Sequence, residues 1–191
     1  MNSQKEKKVS FDDELLILVD EEDRIIGYKD KLSCHQGSGT LHRAFSIFIF
    51  NYQGKLLMQQ RSEQKQLWPL FWSNSCCSHP RKREKMGTAV SRRLYEELGI
   101  RTDLKFIYKF MYQAAYKEIG SENEYCSVFI GKSDQPVHSN INEIAAVKYL
   151  DPEELDDLLN QNQDEFTPWF KLEWEQIRTV HWSAIQTYLN T

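Results

Sequence analysis

A cysteine two residues ahead of a histidine, followed by carboxylates one helical turn apart, marks the stretch of this chain best equipped for chemistry. It reads Trp72-Ser73-Asn74-Ser75-Cys76-Cys77-Ser78-His79-Pro80, then Glu84, then Arg92-Arg93-Leu94-Tyr95-Glu96-Glu97-Leu98-Gly99-Ile100. Carboxylates such as Glu84, Glu96 and Glu97 on one helix can converge on a hard cation that neutralises phosphate oxygens. Arg93 beside them is a donor to the same oxygens. A thiol near a histidine, in a turn ahead of a helix and close to cations, is favoured as thiolate. Either Cys76 or Cys77 fits that description, and a cysteine in apolar surroundings is more often inert core. His35, His42 and His79 come from separate stretches without zinc-finger spacing. Glu122 and Glu124 share one face if they lie on a strand, and two buried carboxylates need cations or protons.

The elements that must position these residues are readable from pattern. Leu15 to Val19, the acidic turn Asp20 to Asp23 and Arg24 to Lys29 predict a hairpin, and Ala44 to Phe50 with Lys55 to Arg61 predict a second one around Asn51-Tyr52-Gln53-Gly54. Met86, Val90, Leu94 and Leu98 predict a helix over Glu84 to Leu98 that Gly99 ends. Strands are expected at Phe106 to Tyr116, Glu124 to Gly131 and Ile144 to Leu150. Asp151-Pro152-Glu153-Glu154 predicts a helix start with a capping box, and one or two amphipathic helices follow from Pro168. Residues 1–14 read as a flexible tail and 15–191 as a single domain.

Composition narrows the function. The 191 residues, 40% hydrophobic, suffice for one substantial core, and a net charge of -4 gives no general attraction to nucleic acid or anionic membrane. An anionic ligand must then be met by a local cationic pocket. The four cysteines lack CxxC spacing, and no segment approaches the roughly 20 apolar residues of a membrane span. A cytoplasmic protein with reduced thiols is expected, bound to neither nucleic acid nor membrane, its oligomeric state open with a monomer the default.

Taken in order, these motifs resemble the type I isopentenyl-diphosphate isomerases, a Nudix-fold family. The resemblance runs from about Leu15 to the C-terminal helix through Lys31 to His35, Leu41-His42-Arg43-Ala44-Phe45-Ser46, the Cys77 segment, Glu122-Asn123-Glu124 and Phe166-Thr167-Pro168-Trp169. The stretch from Ser78 to Ile100 matches a Nudix box except that Ser78 stands for its first glycine and Arg93 for the glutamate after arginine. The resemblance implies an α+β fold, an α/β/α sandwich with a mixed sheet and flanking helices. It implies reversible conversion of isopentenyl diphosphate to dimethylallyl diphosphate, with Cys77, Glu124 and Tyr112 catalytic. His35, His42, His79, Glu122 and Glu124 would surround one Mn²⁺, Zn²⁺ or Mg²⁺, a donor set that suits such ions better than calcium. Glu97 would serve a Mg²⁺ that arrives with the diphosphate, and Lys31, Arg61, Lys65 and Arg93 would clamp it. Trp169 would face the carbon skeleton, where an indole stabilises a cation by about 2 kcal/mol.

Ordinary readings stand beside these. Glu97 can be a surface partner of Arg93, worth about 0.3–0.5 kcal/mol, while Trp169 and Tyr112 can be packing residues. His138 and His181 match no motif and are expected at the surface. A Nudix hydrolase of a nucleoside or related diphosphate is the alternative enzyme, though it needs the carboxylate that Arg93 replaces. A binding domain without catalysis is the third reading.

Overall fold

The first hairpin forms as expected in the computed structural model, which describes residues 6–191. Strand β1 (Leu15–Val19) pairs with β2 (Ile25–Asp30), and Asp20 closes the turn by accepting from the amides of Glu22 and Arg24. A one-turn helix, α1 (Lys31–Cys34), follows; no expectation covered it. Asp30 caps it by accepting from the Ser33 amide at 2.8 Å, which fixes where Lys31 and His35 emerge.

The second hairpin holds only at its turn. There β3 (His42–Phe50) meets β4 (Leu56–Arg61) through the pair Phe50 and Leu56, with Gly54 at a φ of 81°. Beyond the turn the strands part around Asn74 and Ser75. Ser75 Oγ accepts from the Ile49 amide at 2.8 Å and donates to the Leu57 carbonyl at 2.6 Å. Asn74 Nδ2 donates to the carbonyls of Ile47 and Cys76 at 3.3 and 2.9 Å. These side chains satisfy backbone groups that ladder bonds would otherwise serve. They also seat two short strands, β5 (Trp72–Ser73) on β4 and β6 (Cys76–Ser78) antiparallel to β3.

Helix α2 (Met86–Leu98) starts two residues later than its periodicity predicts, and Gly99 ends it at a φ of 71°. Strands β7 (Leu104–Tyr116) and β8 (Gly120–Lys132) form a long antiparallel pair, and β8 runs parallel to all of β3, with His42 opposite Glu124. Strand β9 (Ile144–Leu150) pairs with β4. Helices α3 (Pro152–Gln161), α4 (Pro168–Gln176) and α5 (Trp182–Leu189) complete the chain, the last two joined by the π-helical turn Ile177–His181. The expected capping box at Asp151 does not form, because its carboxylate binds Lys55 Nζ at 2.9 Å instead.

Strand β3 explains the layering. Phe45, Ile47 and Ile49 pack with Ala89, Val90, Leu94 and Leu98 of α2, whereas Ala44, Phe48 and Phe50 pack with Leu155, Phe170, Trp174 and Ile185 of the three C-terminal helices. Alternate residues thus serve opposite faces of a sheet covered on both sides. The result is the expected α+β arrangement, a mixed sheet between α2 and the C-terminal helices. Among the described residues no helix is long and apolar enough to cross a membrane.

Residues 6–14, expected as a flexible tail, meet the domain at several points. Val9 is buried, and its carbonyl accepts from Arg93 Nη1 at 2.8 Å and Arg81 Nη2 at 3.2 Å. Asn140 and Asn142 bind the carbonyls of Lys7 and Glu6, and Lys31 Nζ donates to Ser10 Oγ at 2.5 Å. Buried guanidinium donors need acceptors, and here the backbone of a polar segment supplies one for each. Residues 1–5 of that tail lie outside the described residues.

Helix α4 buries one carboxyl with no expected role. Glu173 Oε1 accepts from Cys126 Sγ at 3.5 Å while Oε2 has no partner. Burial pushes this carboxyl up to about 8, against hydrogen bonds from Ser46 and Cys126. The unfolded chain releases the same proton near the ordinary carboxylate value, so between that value and about 8 it binds fewer protons than the folded protein. Stability from this group therefore falls as pH rises through the window. Thermal melts are expected to show Glu173→Gln several degrees above wild type near about pH 9 and little changed near about pH 5.

Candidate active site

Three elements deliver the histidines to one point. His35 follows α1, His42 opens β3, and His79 follows β6, which the Asn74–Ser75 wedge holds against β3. Glu122 and Glu124 lie two apart on β8, and the parallel register sets Glu124 beside His42. The ligand atoms of all five residues lie within 4.8 Å of one another.

The protonation pattern of this group suits a cation. His35 Nδ1 and His42 Nδ1 bond the carbonyls of Lys31 and Thr40 at 2.6 and 2.7 Å, so Nδ1 carries a proton in both and the Nε2 atoms face inward. His42 Nε2 has no hydrogen-bond partner, and Glu122 Oε2 lies 2.8 Å from His35 Nε2 as an ion pair without hydrogen-bond alignment. His79 Nε2 is 2.8 Å and His42 Nε2 3.8 Å from Glu124 Oε1. Burial, with His35 nearby, holds His42 down to about 4, and burial with His42 holds His79 well below the ordinary histidine value. Burial opposes the charge on Glu122, but His35 keeps that carboxyl at about 2. Burial and then Glu122 raise Glu124 well above its usual range. Burial opposes the charge on His35, yet Glu122 raises it above the ordinary histidine value. Neutral His42 and His79, a His35 held by Glu122, two crowded carboxylates and unpartnered buried acceptors are a donor set that can hold one divalent metal ion.

A cavity of about 420 Å³ opens beside this group, within the usual range of small-molecule sites. Strand alternation separates the adjacent cysteines: Cys76 is buried in the α2 core, and Cys77 lines the cavity. Burial works against the expected thiolate. Burial pushes Cys77 up to about 12, and although Arg61 opposes this, Glu97, Glu124 and Glu173 add to it. Arg61 Nη1 stands 3.9 Å from Cys77 Sγ, and its guanidinium lies 5.1 Å from the ring centre of Trp169. Its Nε and Nη2 donate to the carbonyls of Trp68 and Leu67. Trp169 and Tyr112 both line the cavity, and Tyr112 donates to Glu124 Oε2 at 2.6 Å.

The remaining cations converge on the other side. Lys31, Lys65 and Arg93 all line the cavity. Burial, then Lys65 and later Arg93, brings Lys31 down to about 8, against Glu143. Arg93 Nη2 is 2.5 Å from Glu97 Oε1 and 3.2 Å from Glu143 Oε2, while Arg93 Nε is buried without a partner. Glu97 is therefore no surface partner: it is buried beside Arg93 and does not itself line the cavity. Elsewhere Arg92 binds both oxygens of Glu84 at 2.7 and 2.8 Å and one of Glu96 at 2.9 Å. The helix carboxylates whose spacing suggested a cation are thus largely taken by arginine.

Three residues escaped the sequence reading. Glu143, on the cavity wall, lies in a loop with no periodicity to flag it, and Ser10 belongs to the docked N-terminal segment. Glu173 carried a signal, a carboxylate one turn from Trp169 and Phe170 on a buried helix face. Of the two unassigned histidines, His138 is exposed, but His181 is half-buried and stacks on Tyr108 at 4.7 Å.

Known proteins match this arrangement. The NUDIX domain model covers residues 40–170. Isopentenyl-diphosphate Delta-isomerase 1 of Photorhabdus laumondii is 42% identical over 174 residues, spanning 90% of this chain and 99% of that protein. Isopentenyl-diphosphate delta-isomerase of Schizosaccharomyces pombe is 36% identical, spanning 97% of this chain and 93% of that protein. A crystal structure of DR0079 from Deinococcus radiodurans superposes with a TM-score of 0.64 at 22% identity, over 78% of this chain and 90% of that one, a likeness of fold.

Proposed function

Because the chain belongs to the isopentenyl-diphosphate delta-isomerases of the Nudix family, we propose that it interconverts isopentenyl and dimethylallyl diphosphate with Glu124 and Cys77 as its two proton-transferring groups. The observation that carries this reading is one cavity lined by a thiol, a hydrogen-bonded carboxyl, an indole and the cations Lys31, Arg61, Lys65 and Arg93. A thiol and a carboxyl facing one cavity suit proton transfer to and from carbon, where hydrolysis would need a directed water.

The substrate diphosphate is met by Lys31, Arg61, Lys65 and Arg93, whose unpartnered Nε is a donor in waiting. Glu124, steadied by Tyr112, gives its proton to the terminal methylene carbon, and the electron pair of the double bond forms the new C–H bond. A tertiary cation results, which the Trp169 face shields. Cys77 as thiolate removes a proton from the chain carbon nearer the diphosphate, and that C–H pair becomes the new double bond. Turnover thus needs one proton shared between two groups that burial keeps protonated. Arg61 favours its loss from Cys77 by lying against the sulfur. In the reverse direction the two roles exchange.

His35, His42, His79, Glu122 and Glu124 would hold Mn²⁺, Zn²⁺ or Mg²⁺. Such an ion would polarise and orient the Glu124 carboxyl. Glu97, to which the resemblance gives the magnesium ion accompanying a diphosphate, lies behind the cavity wall on Arg93, so that ion would have to displace Arg93 to reach it. All these side chains belong to one chain, which supports a monomer as the active unit. Four free cysteines support a reducing compartment, the cytoplasm.

Proton NMR of the protein incubated with isopentenyl diphosphate and magnesium in deuterated water tests the reading. Deuterated dimethylallyl diphosphate is expected. Phosphate release without rearrangement would assign a hydrolase, and an unchanged substrate a binding domain.

A further inference from the structure

Glu143 is buried on the cavity wall, outside the proton-transfer machinery. Its carboxylate Oε2 contacts Lys65 Nζ and lies 3.2 Å from Arg93 Nη2. Those cations come from different elements, Lys65 from the loop after β4 and Arg93 from α2. Its backbone is equally constrained. The Glu143 carbonyl accepts from the Ser62 amide at 2.9 Å, and its amide donates to the Asn140 carbonyl at 3.0 Å. The Ser62 carbonyl in turn accepts from the Lys65 amide at 3.1 Å, so the carboxylate and its lysine stand on one hydrogen-bonded base. Burial opposes the charge, yet Lys65 and then Arg93 keep the carboxyl at about 2.

We propose that Glu143 is the positioning residue of the diphosphate clamp, holding Lys65 and Arg93 at the spacing a diphosphate requires; this rests on the isomerase reading for its substrate and on the contacts above for its geometry. Without the shared carboxylate, the two like charges repel each other and Lys31, and the Lys65 side chain regains its rotamers. Two effects then compete. Neutralising the carboxylate raises the net positive charge of the wall, which attracts an anion from a distance. Aim is lost at the same time, and charge-assisted bonds to phosphate depend on aim. The carboxylate's charge is already taken by its two contacts, so loss of aim outweighs the gain in charge.

The Glu143→Gln variant tests this, with Glu143→Asp keeping the charge on a shorter reach. For Gln, KM for isopentenyl diphosphate and the inhibition constant of inorganic diphosphate are expected to rise together by about tenfold, with kcat within about twofold. Asp is expected to fall between Gln and wild type, and it alone carries the test if Gln fails to fold. Unchanged or tighter diphosphate inhibition, or a fall in kcat at constant inhibition, would overturn the proposal. Calorimetric titration of wild type and variant with magnesium and inorganic diphosphate needs no turnover. It therefore separates failure of the clamp from failure of the isomerase reading.

Discussion

Replacing Cys77 by alanine is expected to lower kcat by about 10³- to 10⁴-fold while leaving KM within a few-fold of wild type. The asymmetry follows from placement. The thiol stands against Arg61, while Lys31, Lys65 and Arg93 keep their contacts with Ser10, Glu143 and Glu97. Alanine removes the acceptor for the proton leaving carbon and no donor to phosphate. Deuterated water sharpens the test. With Glu124 intact, the terminal carbon can still be protonated and the proton returned. The methyl group formed in between rotates far faster than any turnover, so the hydrogen given back is often not the one delivered. Deuterium should therefore enter the terminal methylene of isopentenyl diphosphate, with almost no dimethylallyl diphosphate formed. If that position stayed unlabelled, Cys77 rather than Glu124 would be its proton donor, and the two faces would exchange.

How much of this was readable depended on whether each feature is local. Helix α2 and strand β7 formed within two residues of their expected limits, whereas β8 starts at Gly120, four residues ahead of its expected start at Glu124, and so takes in Glu122. The two-residue spacing of Glu122 and Glu124 likewise sets their common face before any partner is known. The wedge at Asn74 and Ser75 could not be read this way. Its hydroxyl and amide bond strands far away in sequence, and the parting of β3 and β4 is visible only once those bonds exist. The protonation state of Cys77 escapes a local reading for a related reason. Neighbouring histidine and arginine argue for a thiolate, but burial dominates, and burial belongs to the assembled sheet. The histidines were brought together by family resemblance, because no spacing joins positions 35, 42 and 79. Docking of residues 6–14 is carried largely by carbonyl groups, which leave little in the sequence beyond Val9 and Ser10 to signal it.

Glu124→Gln is expected to cost at least as much in kcat as the loss of Cys77, about 10³- to 10⁴-fold. Its isotope pattern should be the opposite. The amide keeps the shape of a protonated carboxyl and can still accept from Tyr112, which donates to Glu124 Oε2 at 2.6 Å. It has no proton to give. From isopentenyl diphosphate, then, nothing begins, and no label should enter. From dimethylallyl diphosphate, Cys77 can still deliver a proton to the chain carbon. That carbon lies between the cation and a clamped diphosphate, and it does not turn like a methyl group. The hydrogen removed is the one just added, and this substrate should also stay unlabelled. Loss of a metal ligand would reduce activity as well, so bound metal must be measured in the same samples. His35, His42, His79 and Glu122 remain in the variant, and at metal concentrations that restore full occupancy the activity should stay low. Recovery of turnover with added metal would reduce Glu124 to a ligand and pass the terminal proton to another group. Silence in both substrates from Glu124→Gln, beside exchange in one from Cys77→Ala, is the pattern that only an acid on the methyl side and a base on the chain side produce.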